Sequence, residues 1–91
     1  RSSSEPFAQL LAQTLRERLG ATWGLAETGA AGPTGNRYGD DAGHTCVAVS
    51  GPVSKVATLE TENGDRSANM WRFSAEALGL FMLCLQESQK T

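Results

Sequence analysis

Phe7, Leu10, Leu11, Thr14, Leu15 and Leu19 recur at spacings of three and four, which predicts a helix over about Ser4–Leu19 with one apolar stripe. Glu5 and Pro6 suit its first turn, where a missing N–H costs nothing and a negative charge meets the helix dipole. Arg16 and Arg18 suit the last turn, and Gly20 is placed to end it in a left-handed conformation. The pattern then shortens. Thr22–Glu27 reads as a buried strand, followed from Thr28 to Gly43 by a stretch with five glycines, one proline, two aspartates and one asparagine. That composition predicts a loop of about 16 residues, long for a small domain. His44–Ser50 and Ser54–Thr61 flank a Gly51-Pro52 turn and predict a β-hairpin whose second strand has one wetter face. Asn63-Gly64-Asp65 closes it, with Asp65 as N-cap of a helix reaching about Glu87.

In that last helix Met70, Phe73, Ala77, Phe81 and Cys84 form one stripe, with Trp71, Leu78 and Leu85 beside it. From Ala77 to Leu85 nearly every position is apolar, so the second half should be covered on most sides. The order α-β-loop-β-β-α gives an α/β sandwich with a mixed sheet. Three strands and one other helix offer such a helix few neighbours. More protein is therefore expected beside it, from a second copy or from other protein subunits.

Ninety-one residues make one domain, which buries about 63% of its unfolded surface on folding. The apolar share of 40% and charged share of 20% exclude a disordered tail and a collagen-like chain. The longest apolar run falls well short of the ~20 residues that span a bilayer. A net charge of −2 argues against nucleic acid as the partner. No cofactor is expected, and His44, the one histidine, leaves no histidine–cysteine set with metal spacing. Cys46 and Cys84 both sit in apolar surroundings and read as buried, inert thiols. Arg1 in place of Met, followed by Ser2, Ser3 and Ser4, reads as a trimmed start that reveals no compartment.

The glycine-rich stretch leaves a strand, where ligands of open α/β sheets collect, and its N–H groups suit an anion. Its glycine spacing matches neither a phosphate loop nor a dinucleotide fingerprint, so a solvated connection stays open beside a binding role. Arg66 stands at the predicted start of the last helix, where it can clamp a phosphate or carboxylate. A surface pair with Asp65 or Glu62 is its other reading. Arg37, Asp40 and Asp41 read as solvated, His44 as half-exposed, and Trp23, Trp71 and Tyr38 as packed.

Leu19-Gly20-Ala21-Thr22-Trp23-Gly24-Leu25-Ala26-Glu27-Thr28-Gly29-Ala30-Ala31-Gly32-Pro33 resembles the central motif of the CinA C-terminal domain, the competence/damage-inducible family. That motif runs Leu-Gly-Ala-Asp-Trp-Gly-Leu-Ala-Val-Thr-Gly-Ile-Ala-Gly-Pro. The resemblance continues in Gly43-His44-Thr45-Cys46-Val47-Ala48-Val49 and in Gly64-Asp65-Arg66 followed by Arg72. It covers about Ser4 to Gln86 and departs at Glu27, where the family has a hydrophobic residue. It implies a nicotinamide-nucleotide amidase relative, acting on nicotinamide mononucleotide to give nicotinic acid mononucleotide and ammonia. Thr28, Gly29 and Arg66 are then the implied substrate-binding residues, and a pyridine mononucleotide the implied ligand.

The family's Glu-Ser-Cys-Thr-Gly-Gly and Tyr-Ser-Asn segments, which carry serine, tyrosine and lysine, have no counterpart in residues 1–91. Ser2, Ser3 and Ser4 align beyond them, and neither Lys55 nor Lys90 stands at the lysine position. The reading is a single CinA C-terminal-like domain over 1–91 lacking the family's N-terminal part, with no catalytic residue of its own. Three functions remain open: a non-catalytic subunit of a larger assembly, part of an active amidohydrolase whose nucleophile lies elsewhere, or a nucleotide-binding module.

Overall fold

The computed structural model describes residues 4–32, 34–35 and 41–90. Its elements run α1 (Glu5–Leu19), β1 (Gly24–Ala30), β2 (His44–Ser50), β3 (Lys55–Glu60) and α2 (Arg66–Ser88). The predicted helix boundaries hold to within a residue, because the punctuation that set them is chemical. Gly20 takes the left-handed conformation at φ 63° and donates to the carbonyls of Arg16 and Glu17. The Asp65 carboxylate accepts from the Ala68 N–H at 3.1 Å, capping α2.

The strands form one sheet in the order β1-β2-β3, and both pairings are antiparallel, from Gly24↔Ser50 to Ala30↔His44 and from His44↔Glu60 to Val49↔Lys55. The mixed sheet expected from the sequence is therefore corrected. A parallel pair needs a crossover element, and the β1–β2 connection supplies none among the described residues. Strand β1 also begins two residues later and ends three residues later than its composition indicated. Thr28, Gly29 and Ala30 belong to the ladder, not to the loop, since pairing with Cys46, Thr45 and His44 overrides the glycine signal.

The helices lie on opposite faces of the sheet. Strand alternation puts Ala26, Cys46, Ala48 and Val56 on one face, where they meet Ala8, Leu11 and Ala12 of α1 in a single cluster. Ala8 and Ala12 are fully buried, and their small size brings the α1 backbone close to the strands. The apolar stripe read for α1 is corrected in part: Phe7, Leu11 and Thr14 are half-buried, whereas Leu10, Leu15 and Leu19 are exposed, because Ala8 and Ala12 face the middle of the sheet. Val47 and Val49 occupy the other face with Phe73, Ala77 and Cys84 of α2 buried over it. Burying Phe73 alone contributes on the order of 1.5–3 kcal/mol. Every residue of β2 is buried, as befits the middle strand of a three-layer arrangement.

Polar ties fasten the α1 face at its margins. Thr58 Oγ1 donates to Glu5 Oε2 at 2.6 Å, and Arg16 Nε donates to Ser50 Oγ at 3.1 Å. Trp23 packs edge-on against Phe81, ring centres 5.5 Å apart, as expected of it. Trp71 does not pack and is 80% exposed.

Candidate functional site

Three chain segments meet at one end of the sheet: the β1 exit at Ala31–Gly32, the β2 start at Asp41–Gly43 and the β3–α2 connection at Thr61–Asp65. Their own backbone links them. The Gly43 N–H donates to the Ala30 carbonyl at 2.7 Å, and the Thr61 N–H donates to the Gly43 carbonyl at 3.0 Å. Asn69 then joins all of it to α2. Its Nδ2 donates to the carbonyls of Ala31 at 2.7 Å and Asn63 at 2.5 Å, and its Oδ1 accepts from Thr61 Oγ1 at 2.6 Å. The side chain is fully buried with both ends of its amide in use, so it fixes the β1 exit and the β3–α2 connection to α2 at once. Sequence reasoning missed Asn69, which stands beside the apolar stripe of α2. The signal available was an amide one helical turn beyond the Asp65 cap.

Arg66 opens α2 at this junction, and its Nη1 donates to the Gly32 carbonyl at 3.3 Å. The surface pair with Asp65 or Glu62 is not formed; the Asp65 carboxylate is engaged as the cap. The guanidinium is exposed and keeps donors for an anion. Thr28 and Gly29 lie upstream on β1. The register places Thr28, half-buried, on the α1 face opposite Cys46, while Gly29 faces the other way opposite Thr45. The Thr28 carbonyl is 3.1 Å from Thr45 Oγ1, which lies 2.8 Å from Glu27 Oε2. A Cβ on Gly29 would stand 2.7 Å from both Cα and Cβ of Thr45, so glycine there serves the close approach of two strands. Arg66 thus joins the β1 exit at Gly32, whereas Thr28 and Gly29 lie further back on β1, with the Thr28 side chain on the α1 face.

A surface cavity of about 450 Å³ opens beside the junction, lined by Asp41, Ala42, Glu60, Glu62, Asn63 and Gly64. Its three carboxylates favour a cationic or hydrogen-bond-donating group. Asp41 is exposed, as expected, whereas Arg37, Tyr38 and Asp40 lie outside the described residues. His44, expected half-exposed, is buried at 8% exposure. Its Nδ1 lies 3.0 Å from Glu60 Oε2, and the carboxylate offsets the cost of burying the ring edge.

Cys46 Sγ lies 3.8 Å from His44 Nε2, but the residue is 2% exposed. Cys84 is fully buried; burial pushes its thiol up from the ordinary value, Lys55 opposes this and Glu87 adds to it. Neither cysteine is in a disulfide, and both thiols are enclosed, as the sequence indicated. Among the described residues no group of three His, Cys, Asp or Glu side chains is arranged to hold a metal ion, and no helix is long and apolar enough to cross a membrane.

A family model described as the CinA C-terminal domain matches residues 1–85. The chain is 39% identical over 83 residues to a CinA-like protein of Anaeromyxobacter dehalogenans strain 2CP-C, covering 91% of this chain and 20% of that one. It is 41% identical over 83 residues to a CinA-like protein of Anaeromyxobacter sp. strain Fw109-5, with the same coverage. Among solved structures, a competence-damaged protein (CinA) superfamily protein from Escherichia coli superposes with a TM-score of 0.82 at 27% identity. That superposition covers 89% of this chain and 47% of the other. The competence damage-inducible protein A of Klebsiella pneumoniae superposes with a TM-score of 0.81 at 22% identity, covering 99% and 55%, a likeness of fold. The chain spans about a fifth of the length of the curated relatives and about half of these solved chains.

Proposed function

Since the chain belongs to the CinA C-terminal domain family, we propose that it is a degenerate amidase relative, working as a non-catalytic structural or binding subunit of a larger assembly. Its β1 exit and Arg66 form one wall of a cleft for a pyridine mononucleotide. The observation that carries this reading is how five nucleophilic groups among the described residues are engaged. Cys46 has a base beside it but is 2% exposed. Ser50 is buried and held by Arg16, Ser54 Oγ accepts from the Gly51 N–H, and Ser88 Oγ donates to the Leu85 carbonyl. Lys55 Nζ is paired with Glu87 Oε1 at 3.0 Å. Amide hydrolysis needs an activated nucleophile with a proton shuttle and an oxyanion site, and these five groups are engaged within the fold.

A second reading makes the same wall part of an active nicotinamide mononucleotide amidohydrolase whose nucleophile is supplied from outside residues 1–91. The acidic cavity favours it: a cationic pyridinium suits Asp41, Glu60 and Glu62, while Arg66 suits the phosphate. A third reading, a nucleotide-binding module, requires affinity in the chain alone.

Ammonia release from nicotinamide mononucleotide by the pure chain separates these readings. No release above a buffer blank is expected, and turnover at about one per minute, far below the usual enzyme range, refutes the proposal. Calorimetric titration with nicotinic acid mononucleotide tests the wall. Heat that Arg66→Ala abolishes supports it; heat unchanged in that variant removes Arg66 from the site.

A further inference from the structure

Helix α2 covers its face of the sheet unevenly. Phe81 meets Trp23 just ahead of β1, while Glu87 reaches Lys55 of β3, and these contacts mark the two flanks of the helix. Over β2 the cover is complete, with Thr45, Val47 and Val49 buried. Beside it the same face of β1 stays open, since Leu25, Glu27 and Gly29 alternate onto that face and all three are exposed. Met70 borders the open strip: it shares a helix line with Ser74 and Phe81, and it is 46% exposed.

Glu27 holds the middle of this strip, where the chain departs from the hydrophobic residue of the motif it otherwise shares. Its Oε2 accepts from Thr45 Oγ1 at 2.8 Å, and Thr45 stands opposite Gly29. The carboxylate is thus drawn along β1 toward Gly29, whose missing side chain leaves the strand surface bare. Among the described residues no cation pairs with Glu27, so its charge is not neutralised and Oε1 keeps its acceptor sites.

Arg66 stands at the far end of the same face, with Nη1 on the Gly32 carbonyl. Three residues of strand separate Glu27 from the end of β1 at Ala30, about 10 Å at 3.3–3.4 Å per residue. A pyridine mononucleotide carries its phosphate and its ring substituent at opposite ends. With the phosphate at Arg66, the ribose passes over Gly29 and the substituent arrives at Glu27. The pyridinium cation is common to the amide and acid forms of such a ligand, but the substituent is not. An amide N–H donates to the carboxylate in a charge-assisted hydrogen bond, whereas an acid meets a like charge.

We propose that Glu27 selects the amide form of a pyridine mononucleotide over the acid form. The selection rests on the pyridine-mononucleotide reading above: Arg66 supplies affinity for the shared phosphate, and Glu27 supplies discrimination by repulsion.

Calorimetric titration of the 91-residue chain with nicotinamide mononucleotide and with nicotinic acid mononucleotide tests it. The amide form should bind about tenfold or more tightly. Glu27→Gln keeps an oxygen for Thr45 and removes the charge, so it should erase or reverse that preference with the far-ultraviolet circular dichroism unchanged. Arg66→Ala should weaken both ligands alike. Equal affinities in the native chain, or a preference that survives Glu27→Gln, overturn the role of Glu27, while loss of binding in Arg66→Ala leaves the wall itself standing. No heat from either ligand at about 1 mM overturns the wall and the selection together.

Discussion

Replacing Asn69 by alanine tests whether the junction at the end of the sheet is held by one side chain. The substitution removes two donors and one acceptor from a fully buried site. The Ala31 residue is itself buried, so its carbonyl loses its side-chain donor where water does not easily replace it, at about 1–3 kcal/mol. The Asn63 carbonyl and the Thr61 hydroxyl are better placed to find water and lose about 0.5–1 kcal/mol each. The space vacated adds roughly another 1 kcal/mol. The expected loss is therefore on the order of 3–6 kcal/mol, a large part of the roughly 5–14 kcal/mol that a chain of this length holds. In a thermal scan that is a fall in Tm of about 12 °C or more. Urea titration followed by tryptophan fluorescence and circular dichroism measures it, with the slope unchanged if only the native state is affected. Thr61→Val keeps the shape and removes the donor to Asn69 and the acceptor of the exposed Asn63 N–H, so it should cost about 1 kcal/mol, and the double variant should fall short of additivity by a similar amount. A loss below about 0.5 kcal/mol for Asn69→Ala, within the range of ordinary surface changes, would refute the reasoning, and strict additivity would show that the two groups act separately.

Gly29→Ala should destabilise the chain by about 1–3 kcal/mol, because the new methyl group meets Thr45 in the neighbouring strand at 2.7 Å; an unchanged denaturation midpoint contradicts this. Ellman's reagent should find neither Cys46 nor Cys84 accessible in the native chain and both in guanidinium, so rapid native labelling contradicts the buried placement. Burial holds the folded Cys84 thiol above its ordinary value of 9.0. In this window the native state binds more protons than the unfolded one, so this contribution is fully present below pH 9.0 and is lost as pH rises above it. Cys84→Ala should flatten that alkaline decline, and an identical pH profile contradicts the assignment.

The ends of the elements were legible because single residues set them by local chemistry: Gly20 by its left-handed backbone, Asp65 by its cap, and Gly51-Pro52 by the turn. The inward side of α1 was not. Leucine carries more apolar surface than alanine, so a count of hydrophobic positions favours Leu10, Leu15 and Leu19 over Ala8 and Ala12. Fit against a sheet rewards the smaller residue. Glycine misled in the same way at β1, where it reads as a loop signal, yet Gly29 is needed for the approach of β2. At the site, the convergence of Arg66 and Gly32 follows the motifs that the sequence displayed. Asn69 and the inward His44 became visible only once three distant segments were brought together, since polar residues in isolation read as solvated.

Helices α1 and α2 make no contact with each other and meet only through the sheet between them. Apart from the Trp23–Phe81 contact, which ties the connection after α1 to α2, the strands convey any influence from one side to the other. Deuterium uptake should accordingly resolve two separate opening events, with the amides of β2 exchanging last, in the event that melts the whole chain.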